Sequence, residues 1–195
     1  MKKLFTILGL VGLFLMANMT SSMAQDRPFR IGLKVGVPQI AGLNLEYVTP
    51  MMNKKLSADL DLSYFSFSSG SATVSYMNFA IGADYYFMRE GKGLYGGIAF
   101  GRSSFSASED VIEDNNGGTA TAKGTLGLNT LNLKIGGKHG GLFYFRWELG
   151  YRIALNSATL TETATYPDGT GYTNSVSLPV SGGGILADIG FGFAF

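Results

Sequence analysis

The stretch LFYFRWELGYRIAL, residues 142–155, alternates with a strict period of two. Phe143, Phe145, Trp147, Leu149, Tyr151, Ile153 and Leu155 share one parity, and Tyr144, Arg146, Glu148, Gly150 and Arg152 share the other. A period of two specifies an extended strand whose side chains divide between two faces. Here one face is bulky and apolar and the other carries the charges. A chain built from such strands has two options. It can wrap the apolar face around its own core, or it can turn that face outward onto something other than water.

The pattern recurs along the chain and predicts eight strands, at 29–38, 43–50, 56–67, 73–87, 94–105, 125–136, 142–155 and 184–195. No helical periodicity competes with it. The face opposite the apolar one holds Arg30, Lys34, Glu46, Asp59, Asp61, Asp84, Lys134, Arg146, Glu148, Arg152 and Asp188, interleaved with Gly32, Gly36, Gly82, Gly97, Gly150, Gly190 and Gly192. The glycines decide which face is the crowded one. The chain has 28 of them, about twice the usual share. Glycine relieves crowding in a narrow interior and gains nothing on an open surface, and an eight-stranded barrel has room inside for side chains and little more. The charged face is therefore predicted to point inward and the apolar face outward. Water does not tolerate a continuous apolar belt of that size, which leaves lipid as the outer environment. The expected fold is all-β, a closed, up-and-down, antiparallel eight-stranded transmembrane barrel.

The connections support that expectation. MMNKK (51–55), MREGKG (88–93) and the GKHGG region (137–141) read as tight turns at one end. PQIAG (38–42), SSGSA (68–72) and two long loops, 106–124 and 156–183, lie at the other. Short turns on the periplasmic side and longer loops outside are the organisation of outer-membrane barrels, and an even strand number places both termini on the periplasmic side. The eleven inward charges, five positive and six negative, nearly cancel. Unpaired buried charge is costly, so an ion-pair network plugging the lumen is expected. On the outward face Tyr47, Tyr85, Phe87, Phe143, Phe145, Phe193 and Phe195 bunch near the periplasmic boundary, the position of an aromatic girdle. Two places break the pattern. Leu126 and Leu128 have the wrong parity relative to Leu131, Leu133 and Ile135, which a bulge near Asn129 would repair, unless this part stands above the membrane. Arg102 shares parity with Ile98 and Phe100 and is placed at the outer interface, snorkelling.

The first 24 residues read as a cleaved signal peptide: Lys2 and Lys3, the apolar run Leu4 to Ala17, and Ser22-Met23-Ala24 before Gln25. Residues 25–195 are then one barrel domain. A formal net charge of +1 gives no reason to expect nucleic acid, and the absence of Cys removes disulfides and thiolate metal sites. His139, the single His, has no companion ligands, so no catalytic or metal role is assigned and no cofactor is expected. Asp59 and Asp61 face the same way and could form an acid–base pair, but ion pairs with Arg146 or Lys34 are the preferred account. Glu109, Asp110, Glu113 and Asp114 match no Ca²⁺-loop spacing and read as a solvated acidic loop. In 156–183, TLTETATY and YTNSVSL flank Tyr166-Pro167-Asp168-Gly169, either as a hairpin extending the last two strands with an edge open to a surface partner, or as a polar loop with none.

With the alternating strands, the loop pattern, the leader and the terminal GFGFAF, the chain resembles small OmpA/OmpX-like outer-membrane barrels of Gram-negative bacteria. That resemblance implies contact with outer-membrane lipid and recognition of Phe193 and Phe195 by the barrel-assembly machinery; the peptidoglycan-binding domain of full OmpA has no counterpart in this sequence, so no cell-wall tether is expected. It implies a non-enzymatic envelope-structural or surface-interaction role through the long loops. The alternative is a narrow pore for small or apolar solutes, as in OmpW-like barrels.

Overall fold

A computed structural model describes residues 27–88, 90–112, 119–165, 171–178 and 183–195. The leader with Ala24 and Gln25, the acidic Glu113 and Asp114, and the Tyr166–Gly169 turn lie outside the described residues.

The strands are β1 (Phe29–Val37), β2 (Ile40–Val48), β3 (Leu56–Ser69), β4 (Ala72–Tyr86), β5 (Gly93–Ile112), β6 (Thr119–Gly140), β7 (Phe143–Ala154), β8 (Ala158–Thr165), β9 (Gly171–Leu178) and β10 (Gly183–Ala194). All pair antiparallel. Neighbours run β1 to β7 in order, β7 pairs with β10, and β10 returns to β1, from Arg30↔Ala194 to Val37↔Ala187. Eight strands thus close into a barrel. The other two continue the wall upward. β8 follows β7 along β6, and the pairs Ile153↔Gly183 and Ala158↔Leu178 keep one register. Where β7 gives way to β8, the Leu155 N–H donates to the Asn129 carbonyl at 2.9 Å, and the Asn129 N–H donates to Asn156 Oδ1 at 2.7 Å. The Asn156 side chain so replaces a missing backbone acceptor.

The barrel's two ends differ from the expected loop pattern. The connection at 38–42 shrinks to Pro38–Gln39, and that at 68–72 to Gly70–Ser71, where Gly70 takes a left-handed φ of 61° at no Cβ cost. Most of 106–124 is not loop: β5 runs to Ile112 and β6 begins at Thr119. The alternating Ser, Thr and apolar residues there carry the polarity of a loop, yet β-branched and hydroxyl residues suit a strand, and strand pairing prevails. The GKHGG region is likewise the end of β6, with the turn at Gly141–Leu142.

No bulge interrupts β6. The β5–β6 register is continuous from Gly93↔Lys138 to Ile112↔Thr119, so Leu126 and Leu128 do point the same way as Lys134. Polarity changes face instead of the strand changing register. Near the turn end the outside is apolar: Leu33, Ile81, Ile98, Leu133, Leu149 and Ile189 are all at least 45% exposed. Above the level of Arg102, which pairs with Phe79 and Asn129 on the outward face, the order reverses. One outward row across six strands reads Ser66, Ser75, Ser106, Thr125, Thr161, Ser175, with Ser106–Thr125 at 3.2 Å and Thr161–Ser175 at 3.3 Å. The adjacent inward row reads Phe65, Tyr76, Phe105, Leu126, Leu160, Val176. β1, β2 and β10 do not reach this height. Among the described residues the upper wall is a six-stranded arc with no strand over the β1–β2 turn.

The lumen is tight where the glycines lie. A Cβ on Gly136 would sit 2.5 Å from the Tyr95 ring, and one on Gly97 would sit 2.8 Å from Lys134 Cε. Gly184, at the open upper end, has nothing within 4 Å of that position. Gly136→Val is therefore expected to cost about 1–3 kcal/mol by overpacking, whereas Gly184→Ala should be near neutral. Urea unfolding in lipid vesicles, followed by fluorescence of the single tryptophan, Trp147, measures both.

Candidate functional site

The lumen holds the densest chemistry in the molecule. All eleven inward charges are buried, none above 8% exposed. Their strands place them there by parity alone, since each occupies an alternate position on a ladder of uninterrupted register. They are joined by Lys138, on the part of β6 expected to be a turn, and by three buried tyrosines, Tyr86, Tyr95 and Tyr144. The signal for all four was available: each lies an even number of residues from an inward charge or glycine on its own strand. Lys138 makes the lumenal charge six against six.

These groups form three layers. Nearest the turns, Glu46 accepts from Arg30 at 3.0 Å, from the Tyr86 hydroxyl at 2.7 Å, and from Lys138. Arg30 also donates to the Gly91 carbonyl at 2.6 Å, closing the mouth from the 87–92 turn. Lys138 lies over the Tyr86 and Tyr144 rings at 5.4 and 5.1 Å, where the ring faces attract a desolvated cation.

In the middle layer Arg146 binds Glu148, lies 3.5 Å from Asp84, and donates to Asn44 Oδ1 at 2.5 Å. The Tyr95 hydroxyl donates to Glu148 at 2.6 Å. Lys134 meets Asp59 at 2.7 Å and Asp84 at 3.1 Å, and Lys34 meets Asp61 at 2.9 Å and Glu148 at 2.5 Å. Asp59 and Asp61 thus each hold a different lysine; the partner of Asp59 is Lys134. Each of these ions has an opposite charge in direct contact, so none is desolvated without compensation.

The third layer is polar but unpaired. Arg152 donates to Ser103 Oγ at 2.7 Å, Thr130 Oγ1 at 3.2 Å and Asn132 Oδ1 at 3.4 Å, and Ser103 donates to Asn78 at 2.8 Å. Among the described residues no carboxylate lies within 4 Å of the Arg152 guanidinium, and no cation lies within 4 Å of Asp188, whose two oxygens have no hydrogen-bond partner.

The aromatic residues expected at the boundary lie outward at the turn end. Phe29 and Tyr47 rings are 4.8 Å apart, Tyr85 and Phe87 5.9 Å, and Phe143 and Phe193 5.6 Å. Phe145 is exposed beside Phe191 and His139 on the ladder, and the Phe195 N–H donates to the Phe29 carbonyl at 2.7 Å. His139 is exposed on the outer surface. Glu109 and Asp110 lie on opposite faces of β5, and no cluster of three or more metal-ligating side chains exists among the described residues.

No family model and no curated protein matches the sequence. The fold does match solved structures. A major outer membrane protein from Thermus thermophilus superposes with a TM-score of 0.60 at 12% identity, over 86% of this chain and 98% of that one. CarO from Acinetobacter baumannii gives a TM-score of 0.45 at 10% identity over 89% of this chain and 100% of that one. The first likeness establishes the outer-membrane-type barrel fold.

Removing one member of the middle layer leaves its partners buried and uncompensated. Arg146→Ala is expected to lower stability by about 3–5 kcal/mol, while replacing Arg146 and Glu148 together by Met and Leu should lose less than the sum of the single changes. A double-mutant cycle from urea midpoints reads the difference.

Proposed function

We propose that this chain is a non-enzymatic outer-membrane barrel of OmpA/OmpX-like type, its lumen sealed by the ion-pair network, with both termini periplasmic and the tall β5–β6 and β8–β9 hairpins facing outward from the cell. The observation that carries the reading is the pairing of opposites. A charge cluster balanced in number, six against six, fills the interior, with its two lower layers ion-paired, while an apolar belt covers the outside at the same height. In hydrocarbon every backbone polar group must be bonded within the protein, which closure through β1 and β10 achieves. Among the described residues no helix is long and apolar enough to span a bilayer; the exposed apolar belt on the paired strands supports a crossing by strands. Girdle aromatics at the turn end and the hydroxyl rows above Arg102 bound the belt on its two sides. The candidate acid–base pair, Asp59 and Asp61, is engaged by Lys134 and Lys34, which supports a structural role for both.

Two experiments test this. Cysteine at Leu149 should react with a lipid-soluble thiol reagent in reconstituted vesicles, and cysteine at Glu148 should not; the reverse would place the apolar face inside a water-soluble barrel. In planar bilayers the wild-type protein should show no steady conductance. A stable open channel would replace the plugged-barrel reading with the narrow-pore one.

A further inference from the structure

The upper wall has polar residues outside and apolar ones facing the barrel axis. Above the outward Tyr64 and Met77 its outer row is Ser66, Ser75, Ser106, Thr125, Thr161 and Ser175, and its inner row, Phe65, Tyr76, Phe105, Leu126, Leu160 and Val176, is a continuous, largely apolar arc. An apolar inner face is stable only when something apolar covers it, yet Phe65, Phe105 and Val176 are 44–47% exposed. Directly beneath the arc lies the third lumenal layer. Arg152 starts at the level of Asn132 and reaches up to Ser103 and Thr130, beside the Tyr76 hydroxyl. It is the most exposed of the lumenal charges, at 8%. It is also the lumenal cation held by neutral hydroxyl and amide groups alone; Asp188 acts on it from beyond 4 Å.

We propose that this cup binds a single-chain amphiphile with an anionic head, a fatty-acid-like carboxylate drawn from the outer leaflet. The head meets the Arg152 guanidinium, whose planar donors suit a carboxylate. The chain lies along the apolar arc. The route is the gap over the β1–β2 turn, where the β2-side edge of β3 above Ser63 and the outer edge of β9 have no strand partner among the described residues. The sill of that gap, Val37 and Ile40, is apolar and exposed at 58% and 47%, so a lipid tail crosses it without meeting charge. The rim acids Glu109 and Glu162 do not oppose the head. Glu109 is six residues above Ser103 on β5, and Glu162 pairs with Gly124, four above Leu128, the ladder partner of Ser103; these are about 20 and about 13 Å along the strands, both past a screening length of about 8 Å.

The inference rests on the membrane placement, and one experiment separates the two. The full chain in phospholipid vesicles is exposed to laurate carrying a photoreactive group at its tail end, and labelled residues are mapped by peptide mass spectrometry. Labelling of outward belt residues such as Leu133 reports only that the barrel sits in lipid. Labelling concentrated on Phe105, Leu126 and Leu160 reports the site. The Arg152→Gln variant should reduce cup labelling about tenfold, the loss of one charge-assisted contact, with belt labelling unchanged, and Arg152→Lys should retain most of it. The amine of the same chain length should label the cup at least about tenfold less than laurate, since it brings a like charge to the same guanidinium. Compact migration on a semi-native gel checks folding. If Arg152→Gln does not fold, Leu126→Asp leaves the guanidinium in place and must abolish cup labelling. Label confined to the belt, or cup labelling indifferent to head charge or to Arg152, would overturn the proposal.

Discussion

A sheet that presents its apolar face outward has no tolerance for an open edge, and the pairing of β1 with β10 is what removes it. The two strands meet in register with glycine facing glycine inside, Gly32 beside Gly192, and large residues facing outward, Leu33 beside Phe191. Close approach on the lumenal side draws the ends of the sheet together. Everything else in the lower barrel follows from closure: a fixed narrow bore, a defined inside, and a set of side chains that must satisfy each other there.

That set is polar, and its composition is a balance of terms more than a collection of bonds. Burying one carboxylate or ammonium alone is prohibitive; burying a neutral group of them with cross-bridging tyrosines and asparagines is tolerable. Glu46 and Glu148 each receive several donors, and Arg146 and Lys134 each serve several acids. Pairings of this kind couple β1, β2, β3, β4, β6 and β7 across the lumen, where the backbone ladders join only neighbours. The charge network therefore ties opposite walls together, a task that a conventional apolar core performs in other folds.

The lower barrel is legible from the sequence because parity survives every turn: Arg30, Asp59, Asp84, Lys134, Arg146 and Glu148 are all inward as alternation requires. Depth is less legible. Lys138 is hidden because the glycines around it, in GGKHGG, suggest a turn, whereas Gly136 and Gly137 make room for Tyr95 and the Trp147 indole. The upper wall is legible only in part: strands are expected to 67, from 73, to 105 and from 125, and a hairpin in 156–183 is one of two readings, but 106–124 reads as loop, and the reason is physical. Alternation read under one rule, apolar out, holds only within the belt. Where Leu126 and Leu128 violate the rule, the apparent remedy is a change in register. The structure keeps the register and changes the surroundings. The partners of each ion cannot be read at all, since they depend on strand shear: Asp59 and Lys134 are 75 positions apart.

The unequal heights of the wall give the molecule a front and a back. β5 and β6 have 20 and 22 residues, and β1 and β2 have nine each. The tall side is supported from both flanks, but among the described residues β9 pairs with β8 alone, and β8 hangs on β6. Protection of the upper backbone from solvent is then graded around the circumference. Amide protons in β9 open at the lowest cost, those in β8 next, and those shared by β5 and β6 at the highest. Within one rigid ring, local stability becomes a function of angle, and the side where the chain loosens most readily is the side where the wall is lowest.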